Sequence, residues 1–251
     1  MISVILHGSN GHMGQVVSDI IEADPDVEIT AGIDVTGEKK RDYPVYSSLT
    51  DCTEEADAII DFSTAAAVDP LIAYGTERNI PMVICTTGLS ETQIGSIREA
   101  SEKVAVFRSA NMSLGINLLL KILKENSKVL CDAGFDPEII EMHHSRKLDA
   151  PSGTALMLAD AINITENDSY TYTFDRSQRR EKRDPKEIGI SSVRGGTIVG
   201  EHDVIFAGQD EVVEFRHTAY SRAIFAKGAV AAAKFLSGKG PGLYDMSDVI
   251  G

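Results

Sequence analysis

The first 34 residues constrain the fold most. Ile2 to His7 (ISVILH) reads as a short strand that is apolar on both faces, and GSNGHMG follows at 8–14. A helix is expected over Gln15–Ala23, with Val16, Val17, Ile20 and Ile21 as its apolar positions. A second strand, Glu28–Ile33, ends at Asp34. Strand, glycine-rich turn, helix, strand and acid form the dinucleotide-binding arrangement. The glycines are Gly8, Gly11 and Gly14, so the spacing is GxxGxxG rather than GxGxxG, and the turn alone is also compatible with a tight βα connection that binds nothing. Asp34 supplies the context, because it lies 20 residues after Gly14, where a carboxylate meets the adenosine ribose hydroxyls.

Asp34 also bears on which nucleotide binds. A carboxylate there repels a 2′-phosphate by roughly 4 kcal/mol at about 4 Å for an effective dielectric near 20. The next residue is Val35, not an arginine that would clamp the phosphate, so NADH is favoured. Lys39, Lys40 and Arg41 follow closely and leave NADPH open if they fold back; otherwise they form a solvated loop.

The α/β alternation continues with strands at Ala58–Phe62, Met82–Cys85 and Val104–Phe107. Helices are expected at Ala65–Arg78 and from a Ser90/Gln93 capping box to about Ser101. Ligands of a parallel sheet bind at the carboxyl ends of its strands. That rim holds Gly8, Ser9, Asn10, Gly11, His12 and Met13, then Cys85, Thr86 and Thr87, then Ser109, Ala110, Asn111 and Met112. Cys85 has no basic neighbour in sequence and reads as a small strand-end residue, not a nucleophile.

The texture then changes. Leu114–Leu130 reads as one long helix, with Leu118, Ile122 and Leu123 on its apolar face and Leu119 near the edge. Longer strands follow at Glu138–His143, Ile188–Val193, Thr197–Phe206 and Glu211–Thr218. Arg194-Gly195-Gly196 and Gly208-Gln209-Asp210 read as hairpin turns. The basic run Arg176–Arg183 (RSQRREKR) reads as a solvated loop. The last helix, Ala223–Leu236, is alanine-rich and is expected to return to the first domain. The fold class is therefore a Rossmann-like α/β nucleotide-binding domain (1–112 and 223–251) plus an α+β domain (113–222) with an open, mainly antiparallel or mixed sheet. The uncovered face of such a sheet is a candidate oligomer interface.

Chemistry concentrates in Glu138–Ala155, EIIEMHHSRKLDAPSGTA. His143, His144 and Lys147 lie a few residues before Pro151-Ser152-Gly153-Thr154, where a helix begins. A helix N-terminus offers unpaired N–H groups and the positive end of the dipole, so it takes carboxylate or phosphate. Adjacent residues on a strand point to opposite faces, which argues against His143 and His144 sharing a metal.

Composition narrows the partners. A formal net charge of −14 disfavours nucleic acid, and it requires positive charge to be concentrated locally if the ligands are anionic. No run approaches the roughly 18 apolar residues of a membrane span. MISVILHG lacks a basic leader, and the three scattered cysteines suit a reducing cytoplasm better than a disulfide framework or zinc site.

Over nearly its whole length the sequence resembles the dihydrodipicolinate reductase (4-hydroxy-tetrahydrodipicolinate reductase) family of lysine and diaminopimelate synthesis. The stretch 138–155 carries the resemblance almost position for position, and VRGGTIVGEH (193–202), SRAIFAKGA (221–229) and GLYDMSDV (242–249) support it. The resemblance implies reduction of a small cyclic imine bearing two carboxylates by NADH or NADPH, in a homotetramer built through the second-domain sheets. It implies His143 as catalytic acid/base and Lys147 as proton donor. His144, the backbone of Gly153 and Thr154, and Arg222 would contact substrate, while the rim residues and Asp34 would hold the cofactor. The sequence departs from the family pattern at His12, Val35 and Cys85, where arginine, arginine and glycine are usual. Two rival classes are another two-domain NAD(P)-dependent amino-acid dehydrogenase, which lacks the 138–155 loop, and a non-enzymatic NADH-binding redox sensor, which would tolerate loss of His143.

Overall fold

A computed structural model describes residues 1–251. The chain divides into two compact units, Met1–Leu114 with Ala223–Gly251, and Gly115–Arg222. In chain order the elements are β1 (Ile2–His7), α1 (His12–Glu22), β2 (Val27–Ile33), β3 (Val45–Tyr46), β4 (Ala58–Asp61), α2 (Val68–Arg78), β5 (Met82–Ile84), α3 (Glu91–Ser101) and β6 (Ala105–Phe107). They continue with α4 (Leu114–Asp132), β7 (Asp136–His143), α5 (Gly153–Asn163), β8 (Thr171–Thr173), β9 (Glu187–Arg194), β10 (Gly200–Ala207) and β11 (Val212–Ala219). The chain ends with α6 (Ala223–Leu236), β12 (Gly242–Tyr244) and α7 (Met246–Ile250).

The first unit is a parallel sheet in the order β12–β6–β5–β4–β1–β2–β3. Its direction of growth reverses between β1 and β4, the switch point at which such sheets bind ligands. Strand alternation divides the core between the two faces. Val4, Leu6, Ile60 and Phe107 pack with α1 and α6, whereas Ile5, Ile59, Met82 and Val106 pack with α2 and α3. Small residues let α6 approach closely: a Cβ at Gly228 would overlap the carbonyl oxygen of Met112. The expected capping box is present, with Ser90 Oγ accepting from Gln93 N and Gln93 Oε1 accepting from Ser90 N. Helix α1 begins at His12, three residues before the expected start, with Gly11 as its N-cap.

The second unit is a mixed sheet in the order β11–β10–β7–β9–β8. Pairing is antiparallel for β7–β10 and β10–β11 and parallel for β7–β9 and β8–β9. The turn at 208–210 closes the β10–β11 hairpin, Gly208 N donating to Glu211 O at 2.8 Å. The expected hairpin at Arg194–Gly196 does not form. β9 and β10 flank β7 on opposite sides, and the 194–196 segment pairs instead with the loop after β7, through Gly195 N to His143 O and Ser145 N to Gly196 O. Turn residues specify a bend, but β7 has two edges to satisfy and takes one strand on each.

One face of this sheet is covered by α4 and α5. The buried stripe of α4 is Ile116, Leu119, Leu120 and Leu123, not the one centred on Leu118, which is 48% exposed. Helical spacing admits both stripes, and packing against Ile139, Ile190, Val204 and Phe206 selects one. The basic run is not a free solvated loop. Arg176 donates to Glu138 (2.6 and 3.0 Å) and Glu187 (2.7 Å), Arg179 to Glu187 (3.0 Å), and Arg183 to Asp136 (2.7 Å) and Glu138 (2.9 Å). Glu187 is only 1% exposed at its side chain, so these cations compensate a charge that would otherwise be costly to bury. Burial would raise its carboxyl, but hydrogen bonds from Arg179, Arg176 and Thr173 bring it to about 2.

Candidate active site

In the second unit the site grows from the end of β7. Alternation turns Ile139, Glu141 and His143 inward, while His144 begins the loop half-buried. The Glu141 side chain is fully buried and completely engaged. Its Oε1 accepts from Arg194 (2.6 Å) and from Ser152 N (3.1 Å), and its Oε2 accepts from Arg194 (2.8 Å) and lies 2.6 Å from His143 Nδ1. Burial would raise this carboxyl, but hydrogen bonds from Arg194, Ser192 and His143 outweigh it and set it at about 2.

Ser152 is the N-cap of α5, its Oγ accepting from Ala155 N at 3.1 Å and lying 3.0 Å from His202 Nε2. His202 stacks edge-on to His143, with ring centroids 5.2 Å apart, and burial together with the His143 charge pushes it down to about 3. The helix N-terminus opens outward at Gly153, where a Cβ would meet nothing within 4 Å. Lys147 reaches Asp149 at 2.8 Å. His144 is lowered by burial and by the surrounding charges of Arg146, Arg222, His143 and Lys147. That cationic neighbourhood is the local positive field an anion would need in a chain of net charge −14.

In the first unit the glycine-rich turn is built for close approach. Gly8 has φ +81, and a Cβ there would lie 2.6 Å from Phe62 O. A Cβ at Gly14 would overlap the Gly8 carbonyl oxygen. Asp34 Oδ2 accepts from Asn10 N at 3.1 Å, and its Oδ1 accepts from Thr36 N and Oγ1 at 3.1 and 2.9 Å. Burial would raise the Asp34 carboxyl, but these hydrogen bonds and the charge of Lys40 hold it below the usual range. A cavity of about 720 Å³ opens beside the turn, lined by Gly8, Gly11, Asp34, Val35, Ser63 and Tyr74 among others. It draws on the ends of β1, β2 and β4, at the switch point, and its size suits a nucleotide. Thr86 Oγ1 is buried without a partner in the chain. Glycine cradle, ionised acid and cavity together fit a dinucleotide. Asn111 Oδ1 accepts from Ser113 N (2.8 Å), which shapes the turn after β6. Burial pushes the Cys85 thiol well up, with the Asp61 charge adding to it, which disfavours the thiolate.

Residues 2–112 match the family model described as dihydrodipicolinate reductase, N-terminus, and residues 115–250 match the one described as dihydrodipicolinate reductase, C-terminus. The chain belongs to the dihydrodipicolinate reductase family. A 4-hydroxy-tetrahydrodipicolinate reductase of Caldanaerobacter subterraneus subsp. tengcongensis is 53% identical over 250 residues, covering 100% of this chain and 98% of its own length. That of Clostridium novyi is 46% identical, with the same coverage. A dipicolinate-bound dihydrodipicolinate reductase from a Paenisporosarcina species aligns in structure with TM-score 0.80 and 26% identity, over 98% of this chain and 97% of that one.

Within this dihydrodipicolinate reductase fold, Arg194, Gly200 and His202 surround the loop, and Glu141 and Arg146 of the stretch itself join the site although neither had a role assigned from sequence. Glu141 was within reach of a sequence argument, since it precedes His143 by two and a strand repeats every two residues. Arg194 and His202 were not, because they come from β9 and β10, whose places beside β7 depend on non-local pairing.

Proposed function

We propose that the protein reduces 4-hydroxy-tetrahydrodipicolinate (dihydrodipicolinate) to tetrahydrodipicolinate, with NADH as the favoured reductant. The observation that carries the reading is the end of β7, where an acid/base histidine and a lysine lie beside an open helix N-terminus in a cationic neighbourhood. A cyclic imine dicarboxylate needs those groups together. The backbone of Gly153 and Thr154 holds one carboxylate, and His144 and Arg222 complement the negative charge. Once the 4-hydroxyl has left as water, giving the conjugated cyclic imine, the reduced nicotinamide, when bound, would supply the hydride to ring C4. Lys147 and His143 then deliver the proton that the reduced ring must take on carbon.

The nucleotide is assigned to Gly8–Met13, Asp34, Cys85–Thr87 and Ser109–Met112. NADH is favoured because Asp34 is ionised, Val35 cannot pair with a phosphate, and Arg41 is committed elsewhere. Arg41 donates to Asp19 (2.6 Å), Gln15 (3.0 Å) and Glu22 (3.1 Å) on α1. A homotetramer through the uncovered face of the second-unit sheet is part of the proposal. No helix is long and apolar enough to cross a membrane, and a cytoplasmic location remains the expectation.

The test follows nicotinamide oxidation on the fresh condensation product of pyruvate and aspartate semialdehyde. NADH and NADPH are compared, with His143→Ala and Lys147→Ala beside wild type. Turnover with a large kcat loss in both variants supports the reading. Nucleotide binding without turnover would sink it and leave the redox-sensor alternative. Sedimentation of the wild-type protein tests the tetramer.

A further inference from the structure

His143 is one end of a three-residue chain that spans two strands. Arg194 is the register partner of His143 across the β7–β9 ladder, yet its guanidinium reaches back to Glu141 and grips both carboxylate oxygens. Glu141 in turn lies 2.6 Å from His143 Nδ1 and accepts from the backbone N–H of Ser152. Both of its oxygens are thus engaged by one cation, one imidazole and one helix N-cap. With Nδ1 turned to the carboxylate, Nε2 is left as the working nitrogen. Gly200 flanks that nitrogen, and a Cβ there would come within 3.1 Å of it.

We infer that Glu141, clamped by Arg194, is a positioning residue that fixes the ring orientation and tautomer of His143 and ties it to the N-terminus of α5. The inference rests on the reductase reading and deepens it. If His143 moves a proton and Gly153–Thr154 hold a carboxylate, one buried carboxylate sets the position of both. The other groups facing His143 are His202 from β10, which is held neutral near pH 7 by burial, and His144 and Lys147 from the loop.

A clamp of this kind selects which ring nitrogen of His143 carries the proton, a signature that a purely structural role would not set. The experiment compares wild type, Glu141→Gln and Arg194→Met. It records the ring nitrogen NMR shifts of His143 without substrate, which report the tautomer, assigned with His143→Gln, together with kcat and KM. Wild type is expected to hold the Nδ1–H tautomer. Glu141→Gln is expected to populate the Nε2–H tautomer, and Arg194→Met, which frees the carboxylate, to do so to a lesser degree. Glu141→Gln should reduce kcat by about ten- to a hundredfold, with KM changed by less than about threefold. The same tautomer in all three proteins, or a wild-type kcat in Glu141→Gln, would overturn the inference. If Glu141→Gln does not fold, the tautomer in Arg194→Met alone decides. If wild type itself does not turn over, the reductase reading fails separately, and the ring nitrogen shifts still judge the clamp.

Discussion

Ser152 Oγ lies 3.0 Å from His202 Nε2, so the residue that caps α5 also occupies a polar atom of a buried strand histidine. The same Oγ accepts from Ala155 N, and the Ser152 N–H is donated to Glu141. The helix N-terminus proposed to hold a carboxylate is therefore anchored to two strands at once, β7 and β10.

Replacing Ser152 by alanine should remove the cap and leave His202 without its partner. A lost cap costs about 1 kcal/mol, and an unpaired buried polar group adds about 1–3 kcal/mol. The melting temperature should fall by several degrees. KM for the dicarboxylate should rise more than kcat falls. Calorimetry and steady-state kinetics check the two parts, and an unchanged KM would detach the cap from the carboxylate site.

Acid should destabilise the protein in two stages. The folded-state pKa of His202, about 3, lies below its unfolded value of 6.5, so the unfolded chain takes up the proton first. Stability falls as pH drops from 6.5 towards 3, by at most about 5 kcal/mol from this group. His217, lowered by burial, acts in the same direction at the upper end of that window. Glu141, lowered from 4.5 to about 2, contributes stability that is complete above pH 4.5 and lost as pH falls towards 2. Urea denaturation between pH 6.5 and 4.5 should therefore show a shallower slope in His202→Asn than in wild type. Equal slopes would mean that His202 is not the group responsible.

Nucleotide preference should respond to Asp34 and to the partners of Arg41 in the same sense. Asp34→Ser removes the charge that repels a 2′-phosphate and should raise the NADPH/NADH ratio of kcat/KM about tenfold or more. Asp19→Asn combined with Glu22→Gln releases Arg41 from α1 and should raise the ratio by a smaller factor. If the double variant leaves the ratio unchanged while Asp34→Ser shifts it, Arg41 does not reach the phosphate.

Gly14→Ala should abolish tight nucleotide binding. The added methyl would overlap the Gly8 carbonyl oxygen, so the whole turn must move. Fluorescence titration with NADH should show a Kd at least about tenfold higher, and the second-unit ion pairs should be untouched. Wild-type affinity in this variant would mean that the turn does not cradle the cofactor.

What could be read along the chain was what short-range physics decides. The strand, glycine turn, helix and acid of Ile2–Asp34 carry their own periodicities and steric requirements, and so does the Ser90–Gln93 cap. The 138–155 loop likewise shows its imidazoles, lysine and helix start within a few residues of one another. Tertiary structure decided the rest, because pairing and packing choose among alternatives that are locally equal. Either apolar stripe of α4 was open until the sheet selected Leu119 over Leu118. The glycines at 195–196 allowed a hairpin until β7 took β9 and β10 on its two edges. The arginines of 176–183 could have been solvated until burial of Glu187 required their charge. The clamp on His143 belongs to this second kind: Glu141 shares its strand, but Arg194, 53 residues away from Glu141 in the chain, meets it only because two strands lie in parallel register.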